Sequence, residues 1–115
     1  MEKQFIRNLF EAIDTSDWKT LRNLFHPEMI YERPGYEPFD GLNRVMQFYQ
    51  TERILASGQH HLENILLEGD SGVCCGRFIG FKKDGGAVDE RFADVYSFAD
   101  GKIRTRRSYF FRPAV

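Results

Sequence analysis

The segment 91–103 carries the residues with the clearest capacity for chemistry. Its alternation of side chains predicts two strands joined by a tight turn at residues 100–101. Side chains two residues apart in a strand share a face, so Asp94 shares its face with three aromatic residues, Phe92, Tyr96 and Phe98. A carboxylate in an apolar wall must be paired or protonated, and such groups serve as general acids, general bases or donors to an oxyanion.

Counting across the turns predicts which residues face the same cavity as Asp94. On its own strand this face includes Glu90. On the neighbouring strands the count places these residues inward: Cys75, Arg77, Ile79 and Phe81 on one side, and Arg106, Ser108 and Phe110 on the other. The predicted cavity is therefore an aromatic cone that holds three arginines and two carboxylates, namely Arg33, Arg77, Arg106, Glu90 and Asp94.

Two interpretations of these charges stay open. In the first, Arg77 opposite Glu90 and Arg106 near Asp94 form cross-strand ion pairs that only stabilise the fold. In the second, arginine keeps Asp94 ionised as a general base and holds an anionic or enolate substrate through a bidentate hydrogen bond. A paired carboxylate can also be catalytic, so the two interpretations overlap.

Tyr31 and a histidine are further candidates. Tyr31 lies two residues before Arg33 on a predicted short strand, so its hydroxyl either donates to a substrate oxygen or belongs to a core tyrosine at the rim. His60 is the histidine expected to face the helices rather than His61. Near Asp94 it would act as a proton shuttle, and otherwise it is a satisfied or exposed histidine.

The elements that must position these residues follow from periodicity and turn signals. Apolar residues at helical spacing predict helices over 3–13, over 18–25 and from Gly41 to residues 57–58. A short strand is expected over 29–33, and four long strands over 60–68, 73–83, 87–98 and 102–112. Helices followed by an antiparallel meander indicate an α+β fold, with three helices across one face of a curved sheet. That geometry forms a cone whose mouth suits a small-molecule site.

Composition narrows the class of protein. At 115 residues with a net charge of −1, the sequence predicts one domain over 1–115 that binds neither nucleic acid nor membrane. We expect a cytoplasmic protein, because no apolar run suggests a membrane span or signal peptide. The adjacent Cys74 and Cys75 point to opposite strand faces and lack metal-ligand spacing, so neither a disulfide nor a metal is expected. No organic cofactor is implied.

The outer face of the predicted sheet suggests a partner. The alternation places four apolar residues there: Phe78, Ala93, Val95 and Tyr109. An open sheet with such a face is an aggregation risk unless it is covered. We therefore expect a homodimer formed through the outer sheet face.

The order and spacing of several segments resemble the nuclear transport factor 2-like superfamily, and within it the SnoaL-like polyketide cyclase and ketosteroid isomerase branch. The segments that carry the resemblance are residues 14–17 (Asp-Thr-Ser-Asp), 24–32 (Leu-Phe-His-Pro-Glu-Met-Ile-Tyr-Glu), 38–41 (Pro-Phe-Asp-Gly) and 94–103 (Asp-Val-Tyr-Ser-Phe-Ala-Asp-Gly-Lys-Ile). The resemblance covers nearly the whole chain. It implies a cystatin-like, cone-shaped α+β barrel on a mixed, mainly antiparallel sheet, and dimers are the habit of that superfamily.

The resemblance also assigns roles. Asp94 stands where ketosteroid isomerases carry the aspartic acid that donates to the substrate oxyanion. Their general base would be replaced by Arg33, which precedes Pro34, and their oxyanion tyrosine by Leu9. A ketosteroid isomerase mechanism is therefore not expected. Asp94 could instead resemble the acid/base aspartate of polyketide cyclases, whereas the Asp-Arg-Asp set of limonene-type epoxide hydrolases has no clear counterpart.

The sequence thus predicts a cofactor-independent enzyme for acid/base chemistry, of isomerase, cyclase or dehydratase type, on a small hydrophobic or anionic organic molecule. The catalytic candidates are Asp94, Arg33 and Tyr31. The substrate-binding candidates are Arg77, Glu90, Phe92, Tyr96, Arg106, Phe110 and His60. The alternative is a non-catalytic ligand-binding or association module. An open pocket beside Asp94 favours the enzyme, and a cone plugged by aromatic side chains favours the module.

Overall fold

The helical layer is formed by elements that lie between residues 3 and 52, with apolar residues on one side of each helix. A computed structural model describes residues 1–113. Its helices are α1 (Lys3–Asp14), α2 (Trp18–Leu24) and α3 (Leu42–Gln47), and α3 continues into a π-helical turn over Phe48–Glu52. Asp17 begins α2 by accepting a hydrogen bond from the backbone N–H of Thr20 at 3.2 Å. A π-helical turn is rare and is often found at functional sites.

The remaining elements are strands. They are β1 (Phe25–Glu32), β2 (Phe39–Asp40), β3 (Leu55–Glu68), β4 (Ser71–Lys82), β5 (Ala87–Ala99) and β6 (Lys102–Phe110). Asp100 and Gly101 both have positive φ angles, 55° and 72°, which is the conformation required by the two-residue turn that joins β5 to β6.

The strands form one curved, unclosed six-stranded sheet in the order β2-β1-β6-β5-β4-β3. β1 and β6 pair in parallel, and the other neighbours pair antiparallel. The helices pack on the concave face and enclose the hydrophobic core, which includes Leu9, Phe25 and Tyr31. The predicted α+β fold with a mixed sheet is confirmed.

Element boundaries differ from the prediction where two signals compete. Phe25 has helical spacing but an extended backbone with ψ 138°, so β1 starts before His26-Pro27 rather than at Met29. The third helix ends at Glu52 rather than near Gly58, and β3 begins at Leu55. Across residues 1–113, no helix is both long and apolar enough to span a bilayer.

The structure corrects the predicted orientation of the side chains of β4. The prediction that Cys75, Arg77, Ile79 and Phe81 face the cavity is wrong, since it holds only for a connection with an even number of residues. Phe81 pairs with Ala87, which leaves the five residues 82–86 in the connection. This odd-numbered loop moves the inward positions to the even-numbered residues Cys74, Gly76, Phe78 and Gly80. Phe78 is therefore a core residue rather than part of the outer face.

Candidate functional site

Asp94 lies at the centre of a buried hydrogen-bond network on β5 and β6. Its side chain is 1% exposed and forms an ion pair with Arg106, which is 4% exposed. Arg106 donates to Oδ2 from Nε at 3.0 Å and from Nη2 at 2.8 Å. Tyr96 donates to the same oxygen at 2.9 Å, and Ser108 donates to Oδ1 at 2.6 Å. The carboxylate is thus held by four donated hydrogen bonds.

The hydrogen-bond network continues to β1. Because the carboxylate only accepts hydrogen bonds, it determines which hydroxyl groups of the network donate. Because the Ser108 hydroxyl gives its proton to Asp94, the Tyr31 hydroxyl must donate to Ser108 Oγ across their 2.8 Å contact. Tyr31 in turn accepts from Arg33 Nη1 at 3.0 Å. On the other side, Arg106 Nη1 donates to the Tyr49 hydroxyl at 2.5 Å. The network therefore links two arginines through tyrosine and serine hydroxyls to one carboxylate.

The pKa values of Tyr31 and Tyr49 are shifted in opposite directions. Burial would raise the pKa of Tyr31, but the charges of Arg106 and Arg33 outweigh burial and hold the pKa below its ordinary value of 10. Burial raises the pKa of Tyr49 to about 12, despite the charge of Arg106. Tyr31 is therefore the more acidic hydroxyl of the network.

The space beside Asp94 is small. A cavity of about 30 Å³ is lined by Asp94, Arg106, Ser108 and His60, which is room for roughly one or two water molecules. Aromatic side chains take up the rest of the cone, since Phe10 packs 5.4 Å from Phe92 between ring centroids. A substrate of ordinary size does not reach Asp94 in this conformation.

A second polar cluster lies nearer the mouth, where the end of α1 meets β3. Asp14 Oδ2 accepts the backbone N–H of His60 at 2.8 Å, and Asp14 Oδ1 lies 2.5 Å from His60 Nδ1. A carboxylate only accepts hydrogen bonds, so the Nδ1–H tautomer is selected and Nε2 carries the lone pair. Among residues 1–113, Nε2 has no hydrogen-bond partner. The imidazole packs on Phe10 and Phe78, each at 4.7 Å between ring centroids.

The pKa of His60 lies below its ordinary value of 6.5. Burial of the ring is the main cause, the nearby cations Arg53 and Arg106 act in the same direction, and Asp14 opposes them. His60 is therefore neutral at pH 7 and able to accept a proton at Nε2. An imidazole oriented by a carboxylate is the arrangement of a general base.

An NMR titration of the His60 ring checks this assignment. We expect a midpoint below 6.5 in the native protein and a still lower midpoint in Asp14→Asn, because that variant removes the interaction that favours imidazolium. Since unfolded histidine binds its proton first, the free energy of unfolding should decrease as the pH falls below about 6.5. A native midpoint at or above 6.5 would contradict the assignment.

Three cavities meet around this cluster. His60 lines both the cavity beside Asp94 and an open groove of about 550 Å³ along α1. Asp14 lines that groove and a third cavity of about 320 Å³, which also contains Trp18 and Tyr49. Arg53 belongs to both the third cavity and the one beside Asp94. The mouth of the cone is thus where His60, Asp14 and Arg53 come together.

The structure brings most of the predicted site residues to the concave face. Tyr31, Arg33, Arg106 and Tyr96 join the network of Asp94, and His60 lies at the mouth. Glu90, Phe92 and Phe110 line the cavity beside Asp94. The functional roles of all these residues stay predictions.

Arg77 is not part of the site, so its predicted place there is wrong. It lies on the outer sheet face, 49% exposed, and forms an ion pair with Asp89 at 3.2 Å. Glu90 pairs with Arg112 at 2.9 Å instead of Arg77. The cause is the loop between β4 and β5, which shifts the facing of β4 by one residue.

Sequence reasoning missed Asp14, Tyr49 and Arg53 as site residues. Asp14 lies in a segment that looked only like a helix break and a source of helix caps. Arg53 follows the π-helical turn, and no periodicity distinguishes it from a surface arginine. The role of Asp14 depends on its contact with His60 of β3, and Tyr49 packs against Trp18 of α2; both contacts join elements that are distant in sequence.

Metal binding and thiol chemistry can also be considered in the part of the chain that the structure describes. No three His, Cys, Asp or Glu side chains are close enough there to hold a metal ion. Burial, followed by the charge of Asp94, raises the pKa of the Cys74 thiol to about 12, which keeps it protonated and unreactive as a nucleophile.

Comparison with solved structures defines the class of protein. An NTF2-like protein of unknown function from Burkholderia pseudomallei has a TM-score of 0.84 and 18% identity, covering 93% of this chain and 88% of the other. A putative SnoaL-like polyketide cyclase from Jannaschia sp. has a TM-score of 0.82 and 18% identity, covering 94% and 83%. An LEH-like epoxide hydrolase from M. tuberculosis has a TM-score of 0.81 and 17% identity, covering 93% and 80%. At these identities, the likeness establishes the NTF2-like fold.

The family follows from the sequence itself. The model of the SnoaL-like domain matches residues 6–106, and the chain therefore belongs to the SnoaL-like family. This confirms the family resemblance found in the sequence. A comparison with curated protein sequences finds no match.

Proposed function

We propose that this protein is a cofactor-independent enzyme that moves protons on a small, hydrophobic, oxygen-bearing molecule bound at the mouth of the cone. The observation that carries the proposal is the Asp14–His60 pair, in which the carboxylate orients the imidazole through contacts of 2.8 and 2.5 Å. His60 Nε2 takes a proton from a carbon acid or a hydroxyl group of the substrate. In this mechanism the general base is His60 and not Asp94, the residue predicted from the sequence.

The network of Asp94 then serves as a rigid, charged floor beneath the reacting atoms. Ser108 and Arg106 line the small cavity next to His60. Arg106 carries a positive charge that lowers the energy of an enolate or alkoxide formed above it. Asp94 keeps Arg106 in place through two hydrogen bonds to one carboxylate oxygen. In this proposal Asp94, Arg33 and Tyr31 are positioning residues.

Deuterium exchange tests the proposal without knowledge of the natural product. Aryl ketones and cyclic 1,3-diketones are incubated with the protein in D₂O, and loss of the α-proton signal is followed by NMR. We expect the protein to accelerate exchange of at least one such carbon acid above the buffer rate. Equal rates with and without protein across the panel would overturn the proposal in favour of the second candidate.

The second candidate is a non-catalytic binding module of the same fold. Two observations favour it: Asp94 is saturated by hydrogen-bond donors, and the cavity beside it measures only about 30 Å³. In that case His60 and Arg106 contribute to ligand affinity alone. Ligand binding without any proton exchange is the result that would support this candidate.

The free thiols Cys74 and Cys75 support a reducing compartment, and we propose the cytoplasm as the place where the protein acts.

We also propose a homodimer through the outer sheet face. Val73, Ile79, Val95 and Tyr109 are each 40–49% exposed there. The same face carries the ion pair of Arg77 and Asp89, so it presents both charges as well as apolar groups. A two-fold interface requires such a self-complementary surface.

Analytical ultracentrifugation of Val95→Lys checks the dimer. We expect a dimer for the native protein and a monomer for the variant, because a buried lysine at the centre of the interface has no partner. Asn8→Lys, on the exposed side of α1, is the matched control and should remain dimeric. A monomeric native protein would contradict this proposal.

A further inference from the structure

Arg53 differs from Arg33 and Arg106, which donate to tyrosine and carboxylate oxygens, because its guanidinium group donates no hydrogen bond within residues 1–113. It follows the π-helical turn, and its guanidinium carbon lies 5.7 Å from the ring centroids of both Tyr49 and Phe78. Its Nε is buried without a hydrogen-bond partner, and within residues 1–113 its guanidinium group has no carboxylate in ion-pair contact. A cation held between two aromatic rings is partly stabilised by their faces, but its N–H donors remain unused.

Among residues 1–113, no carboxylate in the three cavities that Arg53 lines forms an ion pair with it. In the cavity between the π-helical turn and the loop after β4, Glu52 pairs with Arg44, and Asp84 accepts the backbone N–H of Gly86. Asp14 is engaged by the backbone and the ring of His60. Glu90 is paired with Arg112, and Asp94 with Arg106. The fold therefore brings a positive charge to the mouth without a carboxylate of residues 1–113 in ion-pair contact with it. Burial lowers the pKa of Arg53, which is the energetic cost of this arrangement.

The third cavity, which Arg53 lines together with Trp18 and Tyr49, has the volume and the lining of a ligand site. Its volume is about 320 Å³, within the range of small-molecule pockets. Trp18 and Tyr49 form an aromatic wall with 6.3 Å between their ring centroids, and Lys83 contributes a second cation. A flat ring that carries an oxyanion would satisfy both the aromatic wall and the arginine.

We propose that this cavity binds an aromatic carboxylate, with the carboxylate on the Arg53 guanidinium and the ring against Trp18. The inference rests on the proposed function insofar as it names the substrate class for the same mouth. It assigns to Arg53 the recognition of the anion, a role separate from proton transfer at His60. Arg53 thus becomes a specificity-determining residue for an anionic substrate.

Binding of a matched ligand pair tests the proposal. Trp18 is the only tryptophan of the chain, so its fluorescence reports directly on this cavity. The ligands are 2-naphthoate and its neutral analogue 2-naphthamide. We expect naphthoate to quench Trp18 and to bind about 10- to 100-fold more tightly than naphthamide, as a charge-assisted hydrogen bond allows. In Arg53→Met this preference should disappear, whereas the exposed control Arg77→Met should retain it.

Stability provides a second readout. Since Arg53 has no carboxylate in ion-pair contact within residues 1–113, Arg53→Met should keep or raise the melting temperature, and an arginine with a structural role would lower it. The proposal is overturned by equal binding of the two ligands, by unchanged preference in Arg53→Met, or by no naphthoate binding up to about 10 mM. These outcomes concern binding alone, so they are distinguishable from a failure of proton exchange, which concerns His60.

Discussion

Asp94→Asn should lower the free energy of unfolding by about 3–5 kcal/mol. The carboxylate is 1% exposed and pairs with an arginine that is 4% exposed, so its removal leaves the Arg106 charge buried without compensation. The amide replaces one carboxylate oxygen by an NH2 group, so either Ser108, which donates to Oδ1, or Tyr96, which donates to Oδ2, loses its acceptor and faces a donor instead. For a domain of this size such a loss is a large share of the total stability. Chemical denaturation measures the effect.

Asp89→Asn is the matched control, because it removes a carboxylate from the same strand. Asp89 pairs with Arg77 on the outer face, where both side chains are about half exposed. An exposed pair of this kind contributes about 0–1 kcal/mol. A destabilisation by Asp94→Asn as small as that of Asp89→Asn would contradict the structural role of Asp94. It would also restore Asp94 as the candidate for acid/base catalysis.

His60→Gln should reduce proton exchange by about 10²–10⁴-fold, which is the usual contribution of a positioned general base. Glutamine is close in size to histidine and is polar, but its amide cannot take up a proton near neutral pH. The loss should therefore appear in the rate while the fold is retained. The measurement is the exchange rate of the best carbon acid found with the native protein.

The pH profile and two further variants define the cause of that loss. The native rate should rise with pH and level off above a pKa that lies below 6.5. Asp14→Asn should show a smaller loss than His60→Gln and a profile shifted to lower pH. His61→Gln, exposed on the other face of β3, should leave the rate unchanged. A full rate in His60→Gln would assign the base to another residue.

Much of the concave face was predictable because it depends on local alternation. Phe92, Asp94 and Tyr96 share a face in any regular strand, and the turn at Asp100-Gly101 was recognisable from its residue types. A bulge between Ser97 and Phe98 brings Tyr96 opposite Arg106, which completes the ion pair with Asp94. Alternation across the two-residue turn alone would place Arg107 on that face, so the predicted place of Arg106 beside Asp94 depends on this bulge and not on local alternation.

The facing of β4 was not predictable in the same way. One residue more or less in a loop moves every side chain of the adjoining strand to the opposite face of the sheet. From sequence alone, the segment 82–86 is compatible with connections of an odd or an even number of residues. Arg77 was lost from the site for this reason alone. The saturation of Asp94 was equally hidden, because sequence cannot tell how many donors converge on one carboxylate.

By itself the sequence determined the α+β fold, the SnoaL-like family and the presence of a buried carboxylate among aromatic residues, since these depend on periodicity, turn residues and local spacing. Only the tertiary structure decided which charges are engaged and which are available. Asp14 reaches His60 across 46 positions of sequence, and Arg53 meets Tyr49 and Phe78 where the π-helical turn joins β3. Such contacts follow from how a helical layer docks on a curved sheet, and no local pattern encodes that docking.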